Sequence, residues 1–230
     1  MKKINLLLLL TIFSNSALST DKMVVDRDDR IQIKKRNKTQ VHQSIGMIYY
    51  HNRNMTYFCS GTIIGPKLVL TAAHCVEPGM KIYFIPGQVS RIWRNISFST
   101  PRNALLVKEA HQFPGYNKKE SLTKDIAVLV FEKEFKARPL SLSTQYAANE
   151  VVTISGFPTD KPTGTMWEDS GQIDGASYTI DTFGGQSGSA LRNERDEIIG
   201  VHSHAIYGQK KNFACLIKQE HMAFIEKFMN

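Results

Sequence analysis

Thr182-Phe183-Gly184-Gly185-Gln186-Ser187-Gly188-Ser189-Ala190 sets one serine among glycines. Glycine has no Cβ and enters backbone angles that other residues avoid, so such a run can hold a tight, unusual turn. On that turn the Ser187 hydroxyl can project while neighbouring N–H groups aim at one spot. Those are two parts of an acyl-transfer site, a nucleophile and an oxyanion hole. A Gly/Ser run by itself is most often a plain loop, so the reading depends on partners elsewhere in the chain.

A serine hydroxyl is a poor nucleophile at neutral pH and needs a base, and histidine suits because its ordinary pKa lies near the working pH. Of the seven histidines, His74 stands out, in Leu70-Thr71-Ala72-Ala73-His74-Cys75, just after an apolar strand-like run and beside a cysteine. The imidazole in turn needs a group that fixes its tautomer. Asp125 opens Asp125-Ile126-Ala127-Val128-Leu129-Val130-Phe131, a carboxylate at the mouth of a run that reads as a buried strand. Taken singly, the histidine reads as a satisfied surface residue and the aspartate as a turn residue.

Around these positions the chain reads as β-structure. Short apolar runs recur at Ser44–Tyr50, Thr56–Ile64, Lys67–Thr71, Lys81–Ile85, Arg91–Phe98, Ala104–Glu109 and Asp125–Phe131. They continue at Val151–Gly156, Gly171–Ile173, Ala176–Ile180, Ile198–His202 and Phe213–Ile217, and turn pairs such as Gly65-Pro66 and Pro86-Gly87 divide them. Many short strands at this spacing predict an all-β sandwich or barrel. The spacing of Met222, Phe224, Ile225 and Phe228 predicts a short amphipathic helix over Gln219–Met229. Cys59 and Cys75 flank one apolar segment and are expected to pair, which leaves Cys215 as a buried free thiol. Closing a loop of about 15 residues is worth about 3 kcal/mol in the chain-entropy description.

The first residues read as an export signal: Lys2 and Lys3, an apolar run Ile4–Phe13, and the small residues around Ala17-Leu18-Ser19. The run is too short to span a bilayer comfortably. Cleavage after Ser19 is expected to leave a soluble protein outside the cytoplasm, secreted or held in a periplasm, with no membrane anchor. The chain carries a formal net charge of +8, which favours anionic partners, but no nucleic-acid recognition motif accompanies it, and no nucleic-acid partner is expected.

The blocks Thr71-Ala72-Ala73-His74-Cys75, Asp125-Ile126-Ala127-Val128-Leu129 and Gly185-Gln186-Ser187-Gly188, in that order, resemble the chymotrypsin-fold serine proteases. Phe113-Pro114-Gly115-Tyr116-Asn117 resembles them too, and the resemblance runs from about Ser44 to the C-terminus. It implies two six-stranded antiparallel β-barrels with the site in the cleft between them. The expected organisation is a signal peptide over 1–19, a short pro-segment over 20–23, a first barrel over 24–140 carrying His74 and Asp125, and a second over 141–230 carrying Ser187 and ending in the helix. It also implies an oxyanion hole from the N–H groups of Gly185 and Ser187, protein or peptide substrates, a monomer, and no cofactor or metal. One departure matters: most animal members have Asp before the serine to receive the new N-terminus on activation, and Gln186 stands there.

Gln186 fits a bacterial branch. Thr182–Ser189, Ser155-Gly156-Phe157-Pro158, the segment Lys161–Glu168 and Ile199-Gly200-Val201-His202 resemble the bacterial glutamyl endopeptidases, and Val24-Val25-Asp26-Arg27-Asp28-Asp29 is similar to their mature N-termini. The resemblance implies a pocket in which Thr182, His202 and the α-amino group of Val24 bind an acidic side chain, so cleavage is expected after Glu, and after Asp more slowly. Asp181 points the other way, because it lies at the spacing from Ser187 where trypsin-like enzymes carry the carboxylate for Arg or Lys. The expectation is that its side chain is turned away or paired. The alternatives are a trypsin-like protease cleaving after Arg or Lys, and a latent or toxin-like binding protein on the same scaffold.

Overall fold

A computed structural model describes residues 24, 27–52, 55–92, 100–117, 122–206 and 210–229. The expected signal peptide, the expected pro-segment and most of the run Arg91–Phe98 lie outside the described residues. Fourteen strands and two α-helices follow in chain order. They are β1 (Ile31–Ile33), α1 (Gln40–Ser44), β2 (Ile45–Asn52), β3 (Met55–Gly65), β4 (Leu68–Thr71), β5 (Ile82–Pro86), β6 (Leu105–Leu106), β7 (Glu109–Gln112) and β8 (Ala127–Val130). After them come β9 (Val151–Gly156), β10 (Met166–Asp174), β11 (Ser177–Tyr178), β12 (Ala190–Arg192), β13 (Ile198–Ile206), β14 (Lys211–Leu216) and α2 (Gln219–Glu226).

The strands form two sheets. One runs β6-β5-β2-β3-β4-β8-β7; the other runs β1-β10-β11-β14-β13-β12-β9. A further pairing of β9 with β10 closes the second sheet into a six-stranded barrel, with β1 added at its side. The first sheet, among the described residues, is a half-barrel with no pairing between its end strands β6 and β7. The fold is the expected mostly-β one with a C-terminal helix, except that only one of the two sheets closes. Two details differ locally. The run Ala104–Glu109 is split, its ends falling in β6 and β7. Ile31–Ile33, inside the segment assigned to the first barrel, pairs instead with Glu168, Trp167 and Met166 of the second.

Apolar runs buried on both faces in β4 and β8, and partial alternation in β9, build the sheet cores. Val69, Leu70, Ile126, Val128 and Leu129 are fully buried in the first sheet, and Val152, Ile154, Leu191 and Ile199 in the second. One apolar cluster crosses between them, joining residues of β4 and β8 to Ile198, Val201 and Phe224. Burying several such side chains at about 1.5–3 kcal/mol each is what holds the two halves in register. Cys59 and Cys75 form a disulfide, and Cys215 is a buried free thiol, both as expected. Burial pushes the Cys215 thiol up to about 12, so it stays protonated and inert.

The half-sheets are also tied by a polar cluster that the sequence did not reveal. Glu168 Oε2 accepts from Ser155 Oγ at 2.5 Å, Arg192 Nη2 at 2.9 Å and His42 Nε2 at 3.0 Å. His42 is on α1, which leads into the first sheet, and the other three belong to the second. Burial alone would raise the Glu168 pKa, but hydrogen bonds from His42 and Ser155 and the charge of Arg192 outweigh it and hold it at about 2, down from 4.5. The folded pKa lies below the unfolded one, so the unfolded chain takes up the proton first. This contribution is whole above about pH 4.5 and is lost as the pH falls toward about 2. Thermal unfolding followed by circular dichroism should show the midpoint dropping across that window, and Glu168→Gln should be less stable at neutral pH with a shallower drop in acid.

Candidate active site

Strand β4 ends at Thr71, and a single 3₁₀ turn over Ala73–Cys75 follows, carrying His74. The Cys59–Cys75 bond fastens that turn to β3. Asp125 lies two residues before β8, the neighbour of β4 in the sheet. Its side chain is 1% exposed, and its oxygens are fully engaged. Oδ1 accepts from the His74 backbone N–H at 2.9 Å and Oδ2 from His74 Nδ1 at 2.7 Å. Ser203 Oγ donates to Oδ2 as well, at 2.5 Å. Burial disfavours the charged carboxylate, but the bonds from His74 and Ser203 outweigh that and hold the Asp125 pKa below its ordinary value. An ionised carboxylate accepts only, so the proton between it and His74 sits on Nδ1, and Nε2 is left as an acceptor.

Ser187 comes from the other sheet, on the loop before β12. Its backbone is bonded to β3, the strand that the disulfide ties to the turn carrying His74. Ser60 N–H donates to the Ser187 carbonyl at 2.8 Å, and that oxygen packs 3.6 Å from Cys75 Sγ. Gly188 is tighter still: a Cβ there would stand 2.2 Å from Thr71 Oγ1 and 2.3 Å from the Ser60 carbonyl, at a φ of +83°. Only glycine tolerates both, and this close approach is what brings the serine loop against the histidine turn.

The turn before Ser187 has a defined orientation. The Gly184 carbonyl accepts from the Thr159 N–H at 2.8 Å and from Thr159 Oγ1 at 2.9 Å. A trans peptide points its N–H opposite its carbonyl, so the Gly185 N–H faces away from Thr159. Gly185 adopts φ +96°, and a Cβ there would lie 2.4 Å from the Phe157 carbonyl. Among the described residues the Gly185 and Ser187 amides have no acceptor in the protein, the condition for donating to an incoming oxyanion.

Of the residues expected to set specificity, His202 is buried, at 4% exposed. Tyr178 Oη lies 2.5 Å from His202 Nδ1 and 3.4 Å from the Phe213 carbonyl. The shorter contact takes the hydroxyl proton, so Nδ1 accepts and Nε2 carries the ring's hydrogen. Burial, with the nearby His74 and His204, lowers the His202 pKa to about 3. The ring is therefore neutral and can offer an acidic group a hydrogen bond but not a positive charge. Thr182 is buried too, but its hydroxyl donates to Asn212 Oδ1 at 2.7 Å, while Asn212 Nδ2 donates to the Ile180 carbonyl at 2.7 Å. The second bond fixes which way the amide faces, so a substrate would receive the Thr182 proton only by displacing Asn212. Asp181 Oδ2 accepts from the Asp29 N–H at 3.0 Å, which pairs the carboxylate with the N-terminal segment. Val24 is half-buried and makes no hydrogen bond with Thr182 or His202 among the described residues.

Cys59, His74 and Cys75 also bring candidate ligand atoms within 4.8 Å of one another. Both sulfurs are taken up in the disulfide, so the group offers no thiolate to a metal. Ser203 is the site residue that the motif blocks did not supply. Its only signal in the sequence was its place next to His202; in the fold it is the extra residue of a β-bulge between His202 and His204, and its hydroxyl meets Asp125 there.

The chain matches the family described as Trypsin over residues 33–220 and belongs to it. It is similar to the glutamyl endopeptidase of Staphylococcus aureus (strain MW2), at 26% identity over 167 residues, or 64% of this chain. The match takes in 46% of that protein, so the chain spans about half the length of the curated relatives it matches. Among solved structures it resembles a Glu endopeptidase in complex with MPD, with a TM-score of 0.76 at 24% identity over 90% of this chain and 99% of that one. It also resembles the protease Anisep from Arthrobacter nicotinovorans, with a TM-score of 0.66 at 15% identity over 84% and 98% of the two chains. At these identities the structures establish a shared chymotrypsin-like fold.

If the Ser203 hydroxyl holds Asp125 in position, Ser203→Ala should lower kcat against a peptide substrate by about 10-fold, the worth of one hydrogen bond to a charged group. Steady-state kinetics checks this, and KM should stay near the wild-type value.

Proposed function

We propose that the protein is an exported serine endopeptidase working through His74, Asp125 and Ser187. The observation that carries the reading is the His74–Asp125 pair, which leaves Nε2 as a base on a turn that the disulfide ties to β3, the strand to which the Ser187 backbone is bonded. In this reading Nε2 takes the Ser187 proton as Oγ attacks the scissile carbonyl. The Gly185 and Ser187 amides hold the oxyanion, and His74 returns the proton to the departing amine. Water then releases the acyl group by the same route. Asp125 remains ionised throughout and stabilises the imidazolium. The export signal read over 1–19 agrees with this, and no helix among the described residues is long and apolar enough to cross a membrane. Loss of 1–19 and 20–23, leaving Val24 as N-terminus, is part of the same reading.

Ser187→Ala should abolish turnover with an unchanged melting curve, and Asp125→Asn should retain a small residue of activity, since triad members act as a unit. Fluorophosphonate labelling followed by peptide mapping gives the direct check. A wild-type protein that does not label at Ser187 would leave the binding-protein reading in its place.

Cleavage after Glu is the specificity we infer. A desolvated carboxylate needs donors, and a neutral His202 with hydrogen on Nε2 supplies one on this side of the pocket. The S. aureus relative bears the same specificity in its name. The competing Arg/Lys reading rests on Asp181, whose carboxylate is already bonded to the Asp29 amide. His202→Ala should lower kcat/KM for a Glu peptide by about 10–100-fold, the range for a hydrogen bond to a charged group, and change a matched Phe peptide far less. Hydrolysis of matched Glu, Asp, Arg and Phe peptides decides between the readings; fastest cleavage after Arg would hand the pocket to Asp181.

A further inference from the structure

The N-terminal segment lays a buried cation beneath the turn that precedes Ser187. Arg30 has a side chain with 0% exposure. Its guanidinium donates to Asp28 through Nε at 2.9 Å and Nη2 at 2.8 Å. It donates to Asp160 through Nη1 at 3.1 Å and Nη2 at 2.5 Å, and Nη1 also reaches Gln186 Oε1 at 3.4 Å. Lys161 Nζ closes the cluster on Asp28 Oδ2 at 2.6 Å. Two of these partners lead straight to the Gly184–Gly185 peptide. Asp160 follows Thr159, whose N–H and hydroxyl pin the Gly184 carbonyl. Gln186 Oε1 accepts from the Phe183 N–H at 3.0 Å, just before the glycines. The guanidinium therefore braces the turn from both ends.

We propose that Arg30 is a positioning residue that orients the Gly185 amide by bracing the Thr159-Asp160 loop and Gln186, so that docking of Asp28–Ile33 beside β10 completes the oxyanion hole. The proposal rests on the serine-endopeptidase reading. Gln186 is uncharged and cannot anchor a free N-terminal amine as an aspartate would, whereas an internal guanidinium delivers positive charge to the same place once β1 pairs with Glu168, Trp167 and Met166. A planar fork that meets two carboxylates and an amide oxygen at once is what arginine supplies and lysine does not. The same segment reaches the pocket wall, where the Asp29 amide meets Asp181.

The test compares wild type, Arg30→Gln and Arg30→Lys in the full exported protein. Each is followed by thermal unfolding, by kcat and KM on a Glu peptide, and by the rate of fluorophosphonate labelling, which needs the oxyanion hole but not the peptide subsites. The expected result is a fall in kcat and labelling rate of about 10–100-fold, short of or equal to losing one oxyanion donor. KM should stay within about 3-fold, with one cooperative melting transition above the assay temperature. A double variant with Thr159→Val should lose less than the product of the two single losses, because both act on one peptide. Labelling at the wild-type rate in both Arg30 variants overturns the proposal and leaves the enzyme reading intact, as does a change confined to KM. Unfolding of both variants at the assay temperature assigns Arg30 to stability and overturns it too. Absence of labelling at Ser187 in the wild type removes the enzyme reading and the proposal with it.

Discussion

A carboxylate that is 1% exposed stays ionised only where the protein replaces the water it has lost, and Asp125 is that carboxylate. Three donors surround it: the His74 amide, the His74 ring and the Ser203 hydroxyl. Two come from the turn after β4 and one from β13, so the group is satisfied only when both sheets are folded and docked. Its demand for donors sets the His74 tautomer and ring plane, and on the proposed reading the apolar seam between the sheets serves the chemistry as well as the fold. The cost of leaving such a charge unpaired is several kcal/mol, a large part of what holds a domain together.

The same economy recurs twice. Glu168 is buried among His42, Ser155 and Arg192, and Arg30 among Asp28, Asp160 and Gln186. Each cluster joins the N-terminal stretch before β2 to the second sheet. The stretch is a strap: β1 runs alongside β10, and α1 then carries the chain across to the first sheet. Buried polar clusters of this kind are poor sources of net stability but strong sources of register, because a slipped strap would leave charges without partners.

What could be read from the sequence was local. The His74 and Asp125 blocks, the cysteine pair, most strand runs and the terminal helix each announce themselves within a few residues. Gly185 and Gly188 were legible as turn glycines, though the contacts that demand them, Phe157 and Thr71, lie far away in the chain. What could not be read was pairing at a distance. A strand of three residues such as β1, with one buried side chain, has no periodicity to find, and its partner is more than 130 positions on. Nothing in the sequence singled out the pairing of Arg30 with Asp160 or of Lys161 with Asp28, because each pair joins residues about 130 positions apart. Thr182 matched a motif position, but the motif does not say that Asn212 already holds its proton. The closure of only one sheet is likewise invisible in strand runs that look alike in both halves.

The division of the site between the two sheets also governs when chemistry becomes available. His74 and Asp125 lie beside β4 and β8 of the first sheet, and Ser187 lies on a loop of the second, just before β12. On the proposed reading the nucleophile meets its base only when the two sheets dock, with the Ser60–Ser187 bond and the Gly188 contact as the seams. On that reading, a chain whose sheets are not yet docked would hold His74 and Asp125 together but keep Ser187 out of their reach. Docking would then be a safety catch, holding back any cutting until each copy is compact enough to resist being cut.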